Sequence, residues 1–139
     1  MEIKKVVVIG SGTMGSGIAA HLCNANIPVT LLDLKTEISE QARDKIHKSR
    51  PPLLLDKSKI NNIKVGNILD NFDEVKEADW VVEAVVERID IKHDIYEKIF
   101  KERKKGAIVS SNTSSIPIKV LSEHLSEEEK KRFLHYPLF

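Results

Sequence analysis

Short, continuously apolar runs rich in β-branched residues alternate along this chain with stretches whose apolar residues recur three or four positions apart. KVVVI at 5–9 is the first run and reads as a central strand buried on both faces. A helix is predicted over 14–26, with Ile18, Leu22 and Ala25 on one side, and Pro28 then opens a second strand at 29–32. The polar stretch 35–49, with Ile38, Ala42 and Ile46 four apart, predicts a surface helix with a narrow apolar stripe. Ser49-Arg50-Pro51-Pro52 ends it, because proline lacks an N–H and biases its predecessor away from helical angles. Residues 53–62 have no clear period, 63–65 read as a short strand, and 73–78 as a brief helix. WVVEAV at 80–85 resumes the buried-strand pattern. An amphipathic helix over 88–104 carries Ile91, Ile95 and Ile99 on one stripe, Gly106 breaks it, and AIVS at 107–110 forms the next strand. Strand and helix alternate without internal repeats, which predicts an α/β, doubly wound Rossmann-type fold around a mostly parallel sheet.

Composition narrows what such a fold can do. With 139 residues and 41% hydrophobic content the chain can bury one core, so 1–139 is read as one domain. The 22 Lys and Arg nearly cancel the 21 Asp and Glu, which gives no excess positive potential for nucleic acid or an anionic membrane. Any bound anion must be held by local geometry. No apolar run is long enough to span a membrane, and the start of the chain does not read as a signal peptide. The single cysteine, Cys23, falls in an apolar helical pattern and reads as a packed core thiol; a cytoplasmic protein is expected. No set of metal ligands is predicted.

The chemistry begins where the first strand meets the first helix. Gly10-x-Gly12-x-x-Gly15 occupies that junction, the context that lifts a common glycine pattern into a dinucleotide-binding fingerprint. Gly10 allows the tight turn, Gly12 allows backbone to approach a pyrophosphate, and Gly15 allows close packing of helix on strand. Thr13 and Met14 open the helix whose free N–H groups face the phosphates. Asp33 closes the second strand, where an acid accepts hydrogen bonds from the adenosine ribose and repels a 2′-phosphate, so NAD is expected over NADP. Glu87 and Lys92 leave the strand at 80–85, and Ser114 follows the strand at 107–110, so both segments belong at the carboxyl edge where ligands bind. Read from their own surroundings alone, Ser114 and Ser115 fit a helix cap better than a ligand contact, with Pro117 near the first helical turn, and Glu87 and Lys92 fit a solvated helix start.

VVIGSGTMGSGIAAHL, the LLD at 31–33, EADWVVEAVVERIDIK at 77–92 and VSSNTSSIPI at 109–118 together resemble the NAD-binding domain of the 3-hydroxyacyl-CoA dehydrogenases of fatty-acid β-oxidation. The resemblance runs over almost the whole chain. It implies NAD as cofactor, acyl-CoA as substrate, Asp33 on the adenosine ribose, Glu87 and Lys92 along the cofactor, and Ser114 near the nicotinamide and the substrate hydroxyl. In that family the catalytic base is a histidine in a segment R-F-x-G-x-H-F-F-N-P, assisted by a glutamate further on. This chain has RFLHYPLF at 132–139. Aligned without a gap, Pro137 stands at the base position and His135 replaces the glycine, whereas a two-residue deletion makes His135 the base. The assisting glutamate and the family's C-terminal helical domain have no counterpart in the sequence. The expectation is a domain truncated at its C-terminus with little independent activity, which leaves its standing as an enzyme open. Two alternatives follow: a non-catalytic NAD-binding module working with a partner chain or with itself, and a related β-hydroxyacid dehydrogenase.

Overall fold

In the computed structural model, which describes residues 2–113 and 115–135, the first apolar run becomes the centre of a sheet. The elements in chain order are β1 (Val6–Ile9), α1 (Thr13–Asn24), β2 (Val29–Asp33), α2 (Thr36–Lys48), β3 (Ile63–Asn67), β4 (Trp80–Glu83), α3 (Ile89–Glu102), β5 (Ile108–Ser111), α4 (Ile118–Leu121), α5 (Glu127–Lys130) and β6 (Phe133–His135). The six strands lie in the order β3-β2-β1-β4-β5-β6, and each pairing is parallel. This is the doubly wound fold that the alternation predicts.

Burial explains why β1 is apolar throughout. Val6 and Val8 face a core filled by Ile18 and Leu22 of α1 and by Ala42 and Ile46 of α2. Val7 and Ile9 face the opposite core, with Ile95, Tyr96 and Ile99 of α3. Side chains alternate faces along a strand, so a strand with helices on both sides has no polar position to spare. From β3 the chain crosses past β2 and β1 to reach β4, and this reversal opens a crevice at the carboxyl ends of β1 and β4. Among the described residues no helix is long and apolar enough to cross a membrane.

Several boundaries differ from the sequence reading. Helix α1 stops at Asn24 because Asn26 takes a left-handed φ of 62° and turns the chain toward Pro28; Ala25 is therefore exposed at the cap instead of joining the apolar stripe. On α2, Ala42 and Ile46 are buried, but Ile38 is 39% exposed. The unassigned stretch contains a 3-10 turn, Lys57–Asn62, whose start is capped by the Asp56 carboxylate accepting from the Ser58 N–H at 2.9 Å. The brief helix is likewise a 3-10 turn, Phe72–Glu77. Strand β4 ends at Glu83 instead of continuing through Val85, since the Val85 N–H turns back to the Glu83 carboxylate at 2.9 Å. Helix α3 starts one residue later than expected, with Arg88 extended at its cap, and ends at Glu102. Cys23 is fully buried, and burial pushes its thiol up to about 11, as a packed core thiol requires.

Candidate functional site

The crevice is a cleft of about 580 Å³ at the carboxyl edge of the sheet. Its floor is the turn between β1 and α1, where Gly10, Gly12, Thr13 and Met14 all line it. The three glycines of that turn do different work. Gly10 has φ 106°, and a side chain there would drive into the Ala84 carbonyl. At Gly15 a Cβ would strike the Gly10 carbonyl oxygen and approach Val8 Cγ1 at 3.5 Å, so the helix could not sit this close to β1. A Cβ on Gly12 would meet nothing within 4 Å. Gly12 is thus open toward the cleft, and it caps α1 without supplying a side-chain acceptor. The first N–H groups of a helix have no partner within it, and no acidic side chain lies in this first turn. The arrangement suits an anion lying against Gly12.

Asp33 stands on the other side of the loop. Its Oδ2 accepts from Ser11 N at 2.8 Å and from Ser11 Oγ at 2.5 Å, while Oδ1 accepts from Leu34 N at 2.7 Å. The carboxylate is thereby held at the cleft wall, with Leu34, Ile38 and Ile68 providing an apolar surface beside it. Ser11 and Ile38 are contributors that the glycine pattern does not reveal. Ile38 reads from the sequence as core and instead forms part of the cleft rim.

The third wall is built on a buried polar hub. Glu83 and Lys92 have side chains 0% and 1% exposed, and they pair at 2.6 Å. Glu83 Oε1 also accepts from the Tyr96 hydroxyl at 2.5 Å and the Ser111 hydroxyl at 2.7 Å. Counting the Val85 N–H, four donors converge on one carboxylate. The three donors of Lys92 go to Glu83, to Val85 O at 3.2 Å and to Glu87 Oε1 at 3.1 Å. Burial and the neighbouring Glu83 charge push the Tyr96 phenol well above its ordinary range, so it remains a donor.

Glu87 connects this hub to the cleft. Its Oε2 accepts from the hydroxyls of Thr113 and Ser115. Partial burial pushes its carboxyl up, but the hydrogen bonds from Ser115, Thr113 and Lys92 outweigh that and hold it at about 2. Lys92 is therefore no solvated helix-start residue, and Ser115 does not cap a helix: α4 begins after Pro117 without a side-chain cap. Glu83, Tyr96 and Ser111 are absent from the sequence-predicted site. Of the predicted residues, Gly10, Gly12, Thr13, Met14, Asp33, Glu87 and Lys92 line one cleft, and Gly15 packs beneath it. His135 is paired in register with Ser111 at the carboxyl edge. Ser114 and Pro137 lie outside the described residues.

A parallel sheet, a glycine turn feeding an uncapped helix and an acid at the end of β2 define a dinucleotide-binding domain of the Rossmann class. A family model described as 3-hydroxyacyl-CoA dehydrogenase, NAD binding domain, matches residues 5–137, and the chain belongs to that family. It is 43% identical to a probable 3-hydroxyacyl-CoA dehydrogenase of Deinococcus radiodurans, over 96% of this chain and 41% of that protein. It is also 43% identical to a putative fatty acid oxidation complex trifunctional enzyme of Rickettsia felis, over 96% of this chain and 19% of that protein. The crystal structure of 3-hydroxybutyryl-CoA dehydrogenase from Escherichia coli superposes with a TM-score of 0.83 at 25% identity, covering 97% of this chain and 29% of that one. The chain thus spans less than half the length of each. NAD is the family's cofactor, and the open space at Gly12 together with the donors of α1 fits its pyrophosphate.

Proposed function

We propose that this chain is the cofactor-holding part of an (S)-3-hydroxyacyl-CoA dehydrogenase. Bound NAD supplies the nicotinamide carbon that accepts the hydride leaving carbon 3 of the acyl chain. The observation that carries this reading is the open Gly12 position at an uncapped helix start, with Asp33 fixed across the loop. In it, α1 directs its free N–H groups at the pyrophosphate while Asp33 accepts from the adenosine ribose hydroxyls. Glu87, kept ionised by Lys92, Thr113 and Ser115, presents a fixed charge along the cofactor. Ser114 takes the substrate hydroxyl, and His135 is the candidate to receive the hydroxyl proton as the ketone forms. The activities of the relatives, a probable 3-hydroxyacyl-CoA dehydrogenase and a 3-hydroxybutyryl-CoA dehydrogenase, support acyl-CoA as the substrate class. A cytoplasmic setting accompanies the reading, with Cys23 kept as a buried thiol.

A second reading keeps NAD but not catalysis, as a binding module that works with a partner chain or a second copy. It is favoured by one observation: among the described side chains, which do not include that of His135, no histidine lines the cleft. Calorimetry with NAD and NADP tests the cofactor assignment shared by both readings. NAD is expected to bind tighter, and Asp33→Ala should weaken NAD and narrow the gap to NADP. Equal affinities for the two cofactors in the unmutated chain would overturn it.

A further inference from the structure

A groove of about 860 Å³ runs between α3 and the α4–α5 segment. Its lining includes Asp90, Asp94, Glu97, Glu123 and Glu129 against Lys101, so carboxylates outnumber the ammonium and the local field favours a cation. At one end stand two imidazoles. The rings of His93 and His124 lie 4.0 Å apart between centroids, tilted by 37°. Glu123 Oε1 is 4.0 Å from His93 Nε2 and 3.8 Å from His124 Nε2. One ligand atom from each of the three residues falls within 4.8 Å of the others.

We infer that His93, Glu123 and His124 form a binding site for a divalent transition-metal ion of the zinc class, separate from the cofactor cleft. Two imidazole nitrogens and a carboxylate select borderline ions such as zinc over magnesium or calcium, which prefer oxygen alone. Bonds of about 2.1 Å in a tetrahedral site set ligand atoms roughly 3.4 Å apart, so the two Glu123 distances must each contract by about half an ångström, and the two imidazoles must close from within 4.8 Å to the same spacing. The exposed members can supply that movement: the side chains of Glu123 and His124 are 54% and 67% exposed, while His93 is only 10% exposed and serves as the fixed ligand. His93 Nε2 donates to the Val120 carbonyl at 2.9 Å, so metal binding at that nitrogen breaks this hydrogen bond and moves the ring proton to Nδ1. The bound ion would clip α3 to the segment that follows β5, and so to the Thr113 and Ser115 hydroxyls that hold Glu87.

The test is calorimetry and thermal melting of the chelator-stripped chain with zinc chloride as the probe and magnesium chloride as the comparison. One zinc per chain and a rise in melting temperature are expected, with no rise for magnesium. His124→Ala, at an exposed position whose loss leaves the core intact, should weaken zinc binding by about tenfold or more, since even the outer-shell partners of metal ligands produce effects of that size. Glu123→Gln should do the same. Zinc binding unchanged in His124→Ala would assign the metal to other histidines and overturn the site. Equal responses to zinc and magnesium would mean that the acidic groove acts without the imidazoles, and would overturn it as well.

Discussion

Single glycines make the sharpest statements about this cleft, because three residues of one type carry three separable loads. A Cβ at Gly15 collides with the Gly10 carbonyl, whereas one at Gly12 enters open space. Gly12→Val is therefore expected to melt near the temperature of the unmutated chain and to lose the stabilisation that NAD gives, which grows as RT ln(1 + [L]/Kd). Gly15→Val should melt far lower without any ligand, since the helix must back away from β1. Melting curves of the two variants with and without NAD separate these outcomes; a Gly12→Val chain that is still stabilised by NAD would mean that the phosphates lie elsewhere. The glycine spacing was readable in the sequence because its members are close neighbours in the chain and each meets a local demand. Ser11 was not readable, because its hydroxyl matters only through Asp33, which the sheet register brings to it from the end of the next strand.

At the scale of elements, the junction of β4 with α3 is held by charge inside a core. Breaking a buried ion pair from one side leaves an uncompensated charge and costs about 3–5 kcal/mol. Lys92→Met should destabilise the chain by roughly that amount in urea unfolding, and should also release Glu87 from the cleft wall and weaken NAD. Pairing it with Glu83→Gln should recover part of the stability, because the remaining buried group no longer carries a charge. A loss within the range of an ordinary surface substitution, about half a kcal/mol, would mean that the pair is not buried in solution. Strands β1 to β5 and the long helices were legible because periodicity reports burial directly, whereas the three residues of β6, Phe133–His135, were not read as a strand. The hub was legible only in part: Lys92 and Tyr96 are four apart on one helix face, but Ser111 joins them through the adjacency of β4 and β5. The 3-10 turn at Lys57–Asn62 was not, since it is too short to develop a period and rests on a local cap, whereas the helix expected at 73–78 was found one residue earlier as the 3-10 turn Phe72–Glu77.

Across the whole molecule, the strand order gathers the ends of β1, β2, β4 and β5 around one cleft, so a ligand there touches segments from both halves of the sheet. That architecture is sufficient for holding a cofactor and leaves the proton transfer to be accounted for. Hydride transfer from a hydroxyl carbon needs a base for the departing proton, and a positioned base contributes roughly 10²–10⁴-fold. Fixing the thioester against the nicotinamide can contribute more still. The chain spans 41% of the Deinococcus relative, and among the described side chains, which do not include that of His135, no histidine lines the cleft. We therefore expect the 139-residue chain, assayed as it stands with acetoacetyl-CoA and NADH, to bind cofactor and to oxidise it at least about 10²-fold more slowly than a full-length relative. Adding the separately expressed remainder of such a relative should raise the rate if the two parts can assemble. A fast rate from the chain alone, abolished by His135→Ala while NAD affinity is kept, would make His135 the base and place the complete proton-transfer machinery on the edge of β6.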